Sequence, residues 1–145
     1  MKNLGFGLGL RRQHFGDILS SDKVRVDWFE ALTENFFGLQ GEAHSPGLFS
    51  LLKIRERFPI ALHGVSLSIG SSDPLSQSYL KKWKQLIDVV QPAIVSDHLC
   101  WTGMGGHNYH DLFPLSYNER VLKYLVSRIE QAQDYLGRQI LLENV

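Results

Sequence analysis

The residues best suited to chemistry in this chain are His63, His98 and Glu143, two imidazoles and a carboxylate that each close a short apolar run. That donor set suits a borderline divalent metal such as iron, manganese or zinc, and a carboxylate with two oxygens can also bridge. No local ligand motif such as H-E-x-x-H is present, so only the fold can gather the three. Their positions share a pattern. Successive apolar runs end in Thr33-Glu34-Asn35, His63-Gly64, Asp97-His98 and Glu143-Asn144, and the C-terminal strand edge is where parallel α/β folds build their sites. Residues two apart on a strand face the same way. His63 therefore goes with Ala61, His98 with Ser96 and Ile94, and Glu143 with Leu141. If those faces point into one barrel, strands about 4.8 Å apart bring the trio to one centre. Asp97 and Asn144 would face the other way and orient the ligands from behind. The plainer alternative is a hydrogen-bonded structural histidine at each strand end, with Glu143 capping the following turn. The joint placement is what favours a metal.

The elements that must position these residues are readable from the pattern. Strand-like runs cover Leu4 to Leu10, Val24 to Leu32, Ile60 to Val65, Ala93 to Ser96 and Ile140 to Leu142. They are short and aliphatic, as in strands buried on both faces. Helices are expected between them. A short one runs over His14 to Leu19, and a second over Pro46 to Phe58, stopping before Pro59. A third opens at Ser72-Asp73-Pro74, with Leu75, Leu80, Trp83, Leu86, Ile87 and Val90 on its apolar face. The fourth spans Asn118 to Leu136, with Val121, Leu122, Leu125, Val126 and Ile129 on one side and Gly137 as its stop. Strict β-α alternation predicts parallel strands joined by right-handed crossovers. No G-x-G-x-x-G or phosphate-loop motif follows the first strand, so a (β/α)8 barrel is favoured over a doubly wound nucleotide-binding sheet.

Further candidates are less specific. Glu34, Asn35 and Arg11 lie at strand ends where a substrate could be touched, and His14 follows Arg11; surface turns account for the last two equally well. His107, His110 and Asp111 belong to a glycine-rich stretch, Gly103 to Asp111, which reads either as a substrate loop or as an ordinary βα loop. Trp101 and Phe113 flank it and should pack it down. His44 sits in a Gly/Ser/Pro-rich loop and is expected to be solvated. Cys100 has no paired base in sequence and reads as a packing residue.

Composition narrows the class. The 145 residues are 43% hydrophobic, enough for one globular core, and 15 basic residues balance 15 acidic ones. No polybasic surface for nucleic acid or membrane is expected. A single cysteine excludes an internal disulfide. With neither a signal peptide nor a transmembrane-length run, a cytoplasmic location is expected.

Several stretches resemble successive motifs of one family. They are Gly7-Leu8-Gly9-Leu10-Arg11, Thr33-Glu34-Asn35-Phe36, Leu62 to Gly70, Val95 to Trp101, Asp111 to Leu115 and Leu141-Leu142-Glu143-Asn144. The family is DUF692 (UPF0276), the multinuclear non-heme iron-dependent oxidative enzymes. Cys100 and Ser116 depart modestly from its pattern. The resemblance implies a xylose-isomerase-like TIM barrel holding two or three irons, with His63, His98 and Glu143 among the ligands. It further implies O2-dependent modification of a ribosomally made precursor peptide, often at cysteine, with a partner protein that holds the leader. Family chains are about twice as long and place further ligands in the later half. Residues 1–145 are thus expected to be the N-terminal part of one barrel, a fragment or half of a split barrel that self-associates or meets a second half. Two other readings stay open: a redox-neutral metal-dependent sugar isomerase or phosphodiesterase on the same barrel type, and a non-catalytic half-barrel acting in assembly.

Overall fold

A computed structural model of the chain describes residues 3–38, 45 and 47–145. Five strands form one parallel sheet in the order β1 (Gly7–Gly9), β2 (Trp28–Leu32), β3 (Ile60–His63), β4 (Ile94–His98) and β7 (Leu141–Glu143). Each strand neighbours the one before it, with no reversal of direction along the sheet. That sequential order is consistent with part of a TIM-barrel-like fold, because a doubly wound sheet would carry a switch point. Four helices connect the strands: α1 (Phe15–Ser20), α2 (Leu48–Arg55), α3 (Gln77–Val90) and α4 (Glu119–Leu136). Between β4 and α4 stands an antiparallel hairpin of β5 (Trp101–Met104) and β6 (His107–Phe113).

The core lies between the sheet and its helices. All four residues of β3 are buried, as expected for a central strand covered on both faces. Opposite it, α3 buries Leu80, Trp83, Leu86, Ile87 and Val90, a stripe at helical spacing. The helix stops where Gln91 turns left-handed at φ 50°, just before Pro92. On α4, Asn118 caps the first turn by accepting from Val121 N at 3.0 Å, and Gly137 closes the last at φ 70°.

Several boundaries differ from the pattern-based expectation. The third helix begins at Gln77, capped by Ser76, whose hydroxyl accepts from Tyr79 N. Asp73 is drawn off instead by two backbone amides, Gly105 N and Gly106 N, each at 2.9 Å. Those amides close the β5–β6 turn, so the stretch read as a long loop is a hairpin pinned by Asp73. The second helix is shorter than expected and starts at Leu48; Pro46 lies outside the described residues, as does His44. On α4, Leu125 is buried while Leu122 and Val126 stay exposed, and the inner face continues through Arg128, Ala132 and Leu136. Arg128 is tolerated there because its Nε donates to Ile69 O at 2.7 Å. The strand bounds also shift: the second starts at Trp28, the third ends at His63, and the fourth runs on to His98.

Candidate metal centre

Strand register decides how the strand-end residues meet. Across β3 and β4, His63 stands level with Ser96; across β4 and β7, His98 stands level with Glu143. His98 is therefore two residues further along its strand than the residue paired with His63, the stagger that tilted strands impose. The two imidazoles stack edge to face with centroids 4.6 Å apart. His63 is buried, His98 half-buried and Glu143 exposed on the outermost strand.

The donor atoms of this trio all lie within 4.8 Å of one another. Glu143 Oε2 is 3.7 Å from His63 Nε2 and 3.9 Å from His98 Nε2. Both separations are too long for a good hydrogen bond. They match donors sharing one ion, since ligands about 2.0–2.1 Å from a metal stand roughly 3.0–4.2 Å apart. His63 Nδ1 is engaged by Ser96 Oγ at 2.8 Å. With Nδ1 donating, the lone pair sits on Nε2, the atom that faces Glu143. His98 Nδ1 is buried without a hydrogen-bond partner among the described residues. Two imidazoles and a carboxylate so arranged fit a divalent cation of the iron, manganese or zinc type.

Asp97, expected to orient the ligands, is fully buried, and its hydrogen bonds go to Leu67 N, His98 N and the Tyr79 hydroxyl rather than to either imidazole. It accepts from the backbone instead, Oδ2 from Leu67 N at 3.2 Å and Oδ1 from His98 N at 2.7 Å. Burial, and then the neighbouring Glu34 carboxylate, push its carboxyl up to about 7, against those hydrogen bonds. A carboxyl held above its unfolded value stabilises the fold fully below pH 4 and loses that contribution as pH rises through 7. Metal-free protein should therefore lose stability between pH 4 and 7 with a slope of up to about 1.4 kcal/mol per unit from this group. Unfolding curves across that range should flatten in Asp97→Asn; equal slopes would contradict the assignment.

The remaining candidates scatter. Asn144, Asn35 and Arg11 are exposed; the neighbouring Arg12 is the residue that donates to Asn35 O, at 2.6 Å. His14 is also exposed and contacts Gln13. His107, His110 and Asp111 lie on the exposed β6 rather than in a loop, and His110 and Asp111 line a cavity of ≈ 300 Å³ with Val65 and Ser66, just beyond His63. Trp101 and Phe113 stack at 4.4 Å across the hairpin. Cys100 is fully buried, and burial raises its thiol to about 11, so it packs as a neutral group. Two residues that bear on the site have no role in the sequence reading. Ser96 had a signal, since it shares a strand face with His98; Tyr79 lies on α3 and nothing in the spacing connects it to a strand end.

A family model described as "RiPP precursor modification enzyme MbnB/TglH/ChrH" matches residues 5–145. Among curated proteins, the chain is 48% identical over 141 residues to a UPF0276 protein of Acaryochloris marina, covering 97% of this chain and 49% of that one. A UPF0276 protein of an Anaeromyxobacter species is 50% identical over 142 residues, covering 98% and 48%. One from Caulobacter vibrioides is 47% identical over 140 residues, covering 97% and 49%. The chain thus spans about half the length of the curated relatives it matches.

Proposed function

The chain belongs to the MbnB/TglH/ChrH family of RiPP precursor modification enzymes, and on that premise we propose that its protein oxidatively modifies a ribosomally made precursor peptide, often at cysteine, using iron and O2. Residues 1–145 then form the N-terminal part of a single xylose-isomerase-like barrel in the cytoplasm. A partner protein presents the leader peptide. Among the described residues no helix is long and apolar enough to cross a membrane.

The observation that carries the reading is the convergence of His63, His98 and Glu143. These three would hold one part of a centre of two or three irons, with the other ligands lying elsewhere in the protein. Iron supplies the one-electron chemistry that dioxygen activation requires. The chain's own residues hold and aim the donors. Ser96 Oγ, 2.8 Å from His63 Nδ1, can accept from that nitrogen, which leaves the Nε2 lone pair to face Glu143. Burial of His63 keeps water off one side of the site, and Glu143, on the open side, would offer its carboxylate to the metal.

Anaerobic iron reconstitution of the full natural chain, followed by metal analysis and Mössbauer spectroscopy, tests this. Bound iron and peptide-dependent oxygen uptake are expected. A protein that holds only zinc or magnesium and consumes no oxygen would sink the proposal. Activity that survives replacement of iron by magnesium or zinc would point to redox-neutral chemistry on the same scaffold.

A further inference from the structure

One hydroxyl ties together the ends of three neighbouring strands. Tyr79, in the first turn of α3, places its Oη 2.7 Å from Glu34 Oε1 and 3.3 Å from Asp97 Oδ2. Glu34 lies in the turn that leaves β2, and its same Oε1 accepts from Val65 N at 2.9 Å. Asp97, on β4, accepts from Leu67 N and from His98 N. The segment leaving β3 is thus held by side chains from both neighbouring strands, and Gly64 N adds a bond to Ser96 O at 2.7 Å. Gly64 is small for the same reason. A Cβ there would stand 2.3 Å from Asp97 Oδ2 and 2.6 Å from Tyr79 Oη.

Both histidines sit against this knot, with neither imidazole joining it. His63 immediately precedes Gly64, and His98 donates its own backbone amide to Asp97. The tyrosine ring is fixed in turn by Phe37 and Trp83, with centroids 5.5 Å and 5.6 Å away. We propose that Tyr79 is a positioning residue of the metal centre, whose hydroxyl, clamped between Glu34 and Asp97, sets the spacing and tilt of His63 relative to His98. The inference rests on the metal reading above. Outer hydrogen bonds of this kind matter because donors displaced by a fraction of an ångström no longer share one ion.

The test is cobalt(II) titration of the full natural chain, read by its visible ligand-field bands. Tyr79→Phe retains the ring packing and removes only the hydroxyl. It is expected to weaken cobalt binding about tenfold or more and to shift the bands of the bound ion, in protein that circular dichroism shows to be folded. Gly64→Ala, which wedges Tyr79 from Asp97, should do the same by a different route. Val90→Ala loosens the far end of α3, where Val90 is buried away from Tyr79; it should lower thermal stability yet preserve the bands. Unchanged affinity and bands in Tyr79→Phe and Gly64→Ala overturn the inference, as does a band shift in Val90→Ala equal to theirs. A wild-type protein that takes up no cobalt, or takes it up equally after His63→Ala and His98→Ala, removes the metal reading itself and this inference with it.

Discussion

His63→Ala and His98→Ala are each expected to reduce divalent-metal affinity of the full natural chain by at least about 100-fold. That is the upper end of what losing a hydrogen-bond partner outside the ligand set costs, and a ligand should exceed it. The effect is large because each of His63, His98 and Glu143 offers one donor atom to the group they form among the described residues, and alanine removes that atom outright. Ser96→Ala provides the graded comparison. It leaves all three donors and frees His63 Nδ1, so about a tenfold loss is expected. Isothermal titration with iron(II) under argon, or with manganese(II), checks the series. If alanine at either histidine costs no more than alanine at Ser96, the imidazoles are structural and the strand-end hydrogen-bond reading replaces the metal one.

Trp83→Ala should cost about 3–5 kcal/mol of stability, the range for removing a buried aromatic and leaving its cavity. Trp83 is fully buried among the core side chains of α3 and the sheet, and its ring touches that of Tyr79. Small and medium domains have only about 5–15 kcal/mol in total, so the loss takes a large share. Val89→Ala is the control on the same helix. At 42% exposed, Val89 faces outward, and a change within about 0.5 kcal/mol is expected. Urea unfolding of both variants decides. Equal shifts would mean that α3 does not bury the face assigned to it.

The order of elements and the identity of the strand-end residues were legible in the chain itself. Short aliphatic runs alternate with helical spacing, and periodicity is a local property that survives without knowledge of contacts. The same local rule placed His63, His98 and Glu143 on one face of their strands. It failed where a long-range partner competed with a local one. Asp73 looks like a helix cap, but two glycine amides of a distant turn claim its carboxylate, and the helix starts later, at Gln77. The glycine-rich stretch reads as a loop in sequence, because its turn glycines, Gly105 and Gly106, are followed by the mostly polar run His107 to Asp111, which lacks strand alternation. On α4 the spacing offered a continuous stripe, and docking against α3 and the sheet chose a rotated one that includes Arg128.

For the site, residue types and strand faces were therefore a matter of sequence, and distance was not. That His63 pairs with Ser96 while His98 pairs with Glu143 is a consequence of register, and register is a relation between strands that no single strand encodes. The turn of Asp97 toward the backbone, and the reach of Tyr79 from a helix to two strand ends, depend on the crossover that lays α3 over the sheet. Sequence named the donors; only the packed fold set them 3.7 Å and 3.9 Å apart and supplied the hydroxyl that holds their strand ends in place.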